Sequence, residues 1–252
     1  MLRIPRLAMD QIEEFRTQGC LVVREAFPAG DVERLSAWAT ELAAWPERPG
    51  RHWVFHEKSL RDPGRLLIHR IENICPFHEG FAELAEVLNG PVSQLLGEEG
   101  VLFKEKVNYK MAGGDGFKAH QDSQAGWGTY APYFVTVAVS IDATTPENGC
   151  LEVAPGFHRD AIAREWEPLT EKDLDGVAFQ AIPTAPGDTV FFDSFVPHRS
   201  DPNLSGTDRR VYFATYNRLS DGDHLAAYYA DKHRSFPPDV ERDPDKEYVF
   251  RV

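Results

Sequence analysis

Ile12 and Phe15 lie three apart in a segment that Asp10 can cap and Gly19 can close, and the Val-rich run Leu21-Val22-Val23 follows at once. The pattern predicts a short helix leading into a strand. Residues 31–45 place Val32, Leu35, Trp38, Ala39 and Leu42 on one face of a second amphipathic helix, and 77–96 reads as a third. From about Val101 the period shortens. Across Phe134 to Asp142, Val135, Val137, Val139 and Ile141 alternate with Thr136, Ala138, Ser140 and Asp142, which predicts a half-buried strand. Further strands are expected at 150–154, closed by Pro155-Gly156, at 189–193, opened by Pro186-Gly187-Asp188, and at 211–216. The expected architecture is mainly β, with helices covering a mostly antiparallel roll; periodicity alone does not separate a sandwich from a barrel.

The chain has 252 residues, 42% hydrophobic and 12% aromatic, with no internal repeat or long linker, so we expect one domain over 1–252. Within it, 1–100 reads as a helical N-terminal layer, 101–220 as the β core and 221–252 as a C-terminal extension. With 27 basic against 40 acidic residues the formal charge is −13, which works against binding a phosphate backbone. No nucleic-acid partner is expected. Three widely spaced cysteines, Cys20, Cys75 and Cys150, suggest neither a disulfide framework nor a thiolate metal site and fit a reducing cytoplasm. Met1 to Asp10 carries two arginines without the apolar stretch of a secretory leader, and no apolar run approaches the roughly 18 residues of a membrane span. A soluble cytoplasmic protein is expected, and the chain carries no signature of a particular oligomeric state.

Candidate chemistry begins at His120-Gln121-Asp122. A mononuclear non-haem iron site takes two imidazoles and one carboxylate on one face of the metal, leaving positions for co-substrate and oxygen. On an extended segment His120 and Asp122 point the same way while Gln121 faces elsewhere. The motif is short, and His158-Arg159-Asp160 matches it too. His158 follows the turn Pro155-Gly156, whereas His120 sits between the Gly113-Gly114-Asp115-Gly116 turn and an aromatic stretch, a better place to line a cavity. His198 ends the apolar stretch 189–197 and supplies the second imidazole. Eleven residues on, Arg209 precedes Val211-Tyr212-Phe213, where a guanidinium could grip a carboxylate bidentately. Its neighbour Arg210 is a rival, because alternation turns the two to opposite faces.

Together these residues resemble the phytanoyl-CoA dioxygenase superfamily of Fe(II)/2-oxoglutarate oxygenases. The resemblance runs through Phe15 to Val23, His120-Gln121-Asp122, Glu147-Asn148-Gly149-Cys150-Leu151, Val153-Ala154-Pro155-Gly156-Phe157-His158, Pro186-Gly187-Asp188, and His198 with Ser200 and Arg209. It implies a double-stranded β-helix, the cupin-like jelly roll, flanked by helices. It implies iron held by His120, Asp122 and His198, and oxidation of 2-oxoglutarate by O2 to succinate and carbon dioxide, coupled to substrate hydroxylation and stimulated by ascorbate. Arg209 and Ser200 would bind 2-oxoglutarate, with Lys104, Asn108 and Phe117 nearby. His158 would belong to a structural turn, in which Phe157 replaces a usual Ser. The intact Asp122 disfavours halogenation, since related halogenases carry Gly or Ala there.

For substrate, a small molecule is expected, with Gln124, Trp127 and Tyr130 as candidate contacts because 121–133 follows the metal motif. Aromatic groups there could cage an amine. The stretches 104–110 and 113–117 and the closing Phe236-Pro237-Pro238-Asp239 are similar to dioxygenases that hydroxylate 2-aminoethylphosphonate and its N-methylated relatives. Lys106, Lys110 and Lys118 are available for a phosphonate. Other readings are oxidative tailoring of a natural product, a zinc hydrolase, a metal-binding cupin without oxygenase activity, and a non-catalytic interaction protein. An acyl-CoA is less attractive, for want of a basic patch.

Overall fold

The computed structural model describes residues 2–157 and 165–249. Along the chain run α1 (Met9–Gln18), β1 (Cys20–Val23), α2 (Ala29–Ala43), β2 (Trp53–Lys58), β3 (Leu66–Glu72), α3 (Glu79–Leu96), β4 (Gly100–Lys110), β5 (Phe117–His120), β6 (Phe134–Ser140), β7 (Leu151–Val153), β8 (Gln180–Ile182), β9 (Thr189–Asp193), β10 (His198–Ser200), β11 (Arg209–Arg218) and α4 (Leu225–Ser235). Two antiparallel sheets result, one ordered β1-β9-β6-β11-β4-β3-β2 and the other β5-β10-β7-β8. Together with the helices they make the jelly roll that the resemblance implies.

The first helix ends as expected, with Gly19 in the left-handed region (φ 72°) and its N–H donating to Phe15 O. Its start differs: Ala8 occupies the cap and Asp10 lies in the first turn. The segment expected to be a helical layer also contributes β2 and β3, which extend the large sheet beyond β4. Their buried Arg70 and Glu72 pair with each other at 2.6 Å, so charges that suggest a solvated loop are neutralised inside.

The strand expected to be half-buried, β6, is buried along its whole length. Val135, Val137, Val139 and Ile141 join the main core with Leu35, Leu88 and Phe191, and each such buried side chain contributes about 1.5–3 kcal/mol. Thr136, Ala138 and Ser140 face a cavity whose wall also includes Phe117, Leu151, Ile182 and His198 of the smaller sheet. The polar face thus meets an internal cavity. Among the described residues, no helix is long and apolar enough to cross a membrane.

Candidate active site

His120 ends β5 and His198 opens β10, directly opposite each other in the small sheet. Their rings lie 4.2 Å apart between centroids. The apolar stretch expected to deliver His198 stops at Asp193, and the histidine belongs instead to the other sheet. Asp122 likewise lies past the strand, as the first residue of a 3-10 turn over 122–125. Ligand atoms of His120, Asp122 and His198 come within 4.8 Å of one another, and His198 Nε2 is 3.8 Å from Asp122 Oδ1. His120 Nδ1 sits 2.7 Å from Lys118 O, and His198 Nδ1 sits 3.0 Å from Val196 O. Each Nδ1 therefore carries the proton and leaves Nε2 to a metal. Thr136 Oγ1 donates to Asp122 Oδ2 at 3.1 Å. Burial, reinforced by His198, pushes the His120 pKa down. Burial alone would raise that of Asp122, but His198, Lys104 and His120 together hold it below the usual carboxylate range. A neutral imidazole at His120 and an ionised carboxylate at Asp122 are the forms a divalent cation needs. Gln121 turns away and donates to Phe195 O. His158 and Asp160 lie outside the described residues.

From this triad an inner cavity runs between the sheets to Arg209, lined also by Lys106, Asn108, Lys110, Phe117 and Ser200. Alternation along β4 turns Lys104, Lys106, Asn108 and Lys110 inward together. Arg209 pairs with Lys110 across β11 and β4. Its Nε donates to Asn148 O at 3.0 Å, and it also contacts Gly149 O. Lys110 Nζ donates to Ser200 Oγ at 2.7 Å and Asp201 O at 2.5 Å. Burial, then the neighbouring Arg209, pushes the Lys110 pKa down to about 7. Two buried cations held by neutral oxygens form a site for an anion. Asn108 Oδ1, buried on the same wall, has no hydrogen-bond partner. Arg210 faces the other way, held bidentately by Asp142 at 2.7 and 2.9 Å and by Ser36 and Thr40 of α2.

The family model for phytanoyl-CoA dioxygenase matches residues 15–211. The chain belongs to this family. It is 38% identical over 244 residues to a 2-aminoethylphosphonate dioxygenase from uncultured bacterium HF130_AEPn_1, covering 95% of this chain and 92% of that protein. It is 35% identical over 234 residues to a methylphosphonate hydroxylase of Gimesia maris, covering 91% and 88%. Among solved structures, EctD of S. alaskensis with 2-oxoglutarate and 5-hydroxyectoine superposes with a TM-score of 0.73 at 26% identity, over 85% of this chain and 77% of that one. The protein is thus an Fe(II)- and 2-oxoglutarate-dependent dioxygenase acting on a small molecule. The donor set fits iron, two imidazole nitrogens and one carboxylate. The inner cavity fits a dianionic co-substrate, with the buried cations Arg209 and Lys110 on its wall.

A second, larger cavity of about 590 Å³ opens from His120 and Asp122 of the triad in this dioxygenase. Lys104, Lys106, Phe117, His120 and Asp122 line both cavities. Of the three expected substrate contacts, Trp127 and Tyr130 line the outer cavity. Trp127 already carries the Lys104 ammonium 4.2 Å from its ring centroid, so that face is taken. Gln124 is fully buried, accepting from Gln121 N and donating to Glu167 O. Its side chain braces the 166–167 segment and is absent from the cavity wall. Of the three lysines expected to be available for a phosphonate, Lys106 reaches the outer cavity, Lys110 belongs to the Arg209 end, and Lys118 is exposed. Sequence reasoning missed Arg70, Trp166, Asp231 and Lys232 on the outer wall. Nothing in local spacing ties these to the motif. The Lys110 position was readable from the period-two row Lys104, Lys106, Asn108, Lys110.

Gly149 bears directly on the Arg209 end. It sits at φ +71°, and a Cβ there would run into Asp201 O. Gly149→Ala is expected to cost about 1–3 kcal/mol of stability, lowering Tm by about 2–4 °C for each kcal/mol. Because Gly149 O holds Arg209 and Lys110, the KM for 2-oxoglutarate should rise about tenfold, equivalent to about 1.4 kcal/mol of binding free energy. Calorimetry and steady-state kinetics check the two parts.

Proposed function

We propose that this dioxygenase hydroxylates a small phosphonate of the 2-aminoethylphosphonate type, with His120, Asp122 and His198 holding iron and Arg209, Ser200 and Lys110 holding the distal carboxylate of 2-oxoglutarate. The observation that carries the substrate is the pair Lys104 and Lys106. Among the described residues neither amine has a hydrogen bond or a carboxylate in ion-pair contact. Aromatic rings flank them instead, Trp127 beside Lys104 and Phe117 and Phe213 beside Lys106. Burial, then Lys104 and Arg70, pushes the Lys106 pKa down to about 7. Such a pair favours a ligand bearing two negative charges, and a phosphonate brings three oxygens to share between them. A neutral chain would leave both cations uncompensated. The similarity to two phosphonate oxygenases points the same way.

Bound iron supplies the centre at which O2 is reduced at the expense of 2-oxoglutarate. The chain's own residues do the positioning. Arg209 and Lys110 set the depth of the co-substrate, and Lys104 and Lys106 hold the phosphonate where both cavities meet the triad. Three free cysteines support a reducing cytoplasm as the setting.

With Fe(II), ascorbate and 2-oxoglutarate, purified enzyme should release succinate in step with oxidised 2-aminoethylphosphonate or its trimethylated analogue. Carboxylate analogues and a fatty acyl-CoA serve as comparisons, with products read by mass spectrometry. Coupling matters because succinate alone reports only the co-substrate half. Oxidised product from the acyl-CoA alone, or from none of these compounds, removes the phosphonate reading.

A further inference from the structure

The wall of the outer cavity carries charges of both signs. Its cations include Lys104, Lys106, Arg70 and Lys232. The carboxylate Glu72 is fully engaged, 2.6 Å from Arg70 Nε and 2.5 Å from Lys232 Nζ. The same wall carries Asp231, Glu247, Tyr130, Tyr248 and Trp166. Tyr130 OH donates to Asp231 Oδ2 at 2.6 Å, which fixes the carboxylate against the ring. Burial, then Asp231, pushes the Tyr130 pKa up, so the phenol stays a donor. The other oxygen, Oδ1, pairs with Arg234, a well-exposed side chain whose pairing is screened by water.

Trp166 is built into this wall at some cost. It has φ 64°, rare for a bulky residue. Its backbone N–H donates to Gln124 O at 2.8 Å, and Gln124 Nε2 donates to Glu167 O at 2.9 Å. Its indole lies against Gly126, where a Cβ would collide with it. A strained aromatic residue, braced by a buried Gln and accommodated by a glycine, is held at a chosen place on a cavity wall.

We infer that Asp231, with Tyr130 and Trp166, forms a specificity subsite for the ammonium end of a zwitterionic substrate. This rests on the phosphonate reading above. With the anionic head held by Lys104 and Lys106, a cationic tail is repelled by Arg70 and Lys232 and drawn to the carboxylate of Asp231 and the aromatic faces beside it. Trp127, whose face Lys104 occupies, is not part of this subsite.

The test uses iron-loaded enzyme with 2-oxoglutarate and two substrates, 2-aminoethylphosphonate and methylphosphonate, which lacks the amine. Substrate dissociation constants are measured without oxygen alongside kcat and KM. Asp231→Asn keeps the acceptor for Tyr130 OH and removes the charge; Trp166→Leu removes the aromatic face. Each is expected to raise Kd and KM for the aminophosphonate about tenfold or more, while those for methylphosphonate stay within about threefold. Equal losses on both substrates, or no loss on either, overturns the subsite and leaves the phosphonate reading intact; a wild-type enzyme that accepts only methylphosphonate overturns the subsite together with the aminophosphonate reading. A wild-type enzyme that oxidises neither overturns both.

Discussion

Alanine at His120, Asp122 or His198 is expected to strip iron from the protein and reduce coupled turnover at least about a hundredfold. That is a lower bound, since removing even an outer hydrogen-bond partner of a ligand commonly costs 10–100-fold. Each of the three is prearranged. The imidazole Nδ1 atoms are tied to Lys118 O and Val196 O, and Asp122 Oδ2 is held by Thr136, itself 2.9 Å from Thr215 Oγ1. Two remaining protein ligands hold a divalent cation more weakly than three, and water competes for the vacated position. Thr136→Val, which loosens Asp122 without removing it, should give a smaller loss of about tenfold. Iron per chain, measured after anaerobic reconstitution, separates metal loss from a defect in turnover. His158→Ala, at the competing His-x-Asp match, is expected to keep its iron. If that variant loses metal while His120→Ala retains it, the assignment of the triad is wrong.

The readability of the site and fold differs from residue to residue for physical reasons. The bounds of β9, Thr189–Asp193, follow from Pro186-Gly187-Asp188 before it, because turn chemistry is local. The alternation in β6 separates its two faces, but a period says nothing about what covers each. Thr136 and Ser140 look solvated in sequence and face a cavity in the fold. The same blindness applies to β4, whose inward row of lysines reads equally well as a wetted face. β2 and β3 escaped notice because His56, Glu57, Arg70 and Glu72 interrupt their apolar runs, and the partners that neutralise buried charge, such as Lys232 for Glu72, come from 160 residues away. Gln124 illustrates the limit on loops. Position after a metal motif brings a side chain near the site, but its direction depends on Glu167, which no spacing rule connects to it.

Arg209→Ala is expected to raise the KM for 2-oxoglutarate about a hundredfold or more, while Arg210→Ala leaves it within about threefold. The two arginines are adjacent and chemically identical, so the contrast rests on what each faces. Arg209 is buried at the end of the inner cavity, where its described partners are the neutral carbonyls of Asn148 and Gly149. Burial pushes its pKa down to about 10, which still leaves it charged at neutral pH. Taking one partner from a charge-assisted pair in a closed site costs about 2–5 kcal/mol, which sets the hundredfold scale. Lys110 alone offers a point charge without the planar fork, so Arg209→Lys should recover only part of the loss. Arg210 instead ties β11 to Asp142 and to α2 through Ser36 and Thr40. Its removal leaves the half-buried Asp142 carboxylate without its bidentate partner, costing about 1–3 kcal/mol of stability and a Tm shift of about 2–4 °C per kcal/mol. One variant should therefore change co-substrate affinity with little change in Tm, and the other the reverse. Equal rises in KM from both would mean that the carboxylate is held by the strand as a whole, or elsewhere, and not by the guanidinium of Arg209.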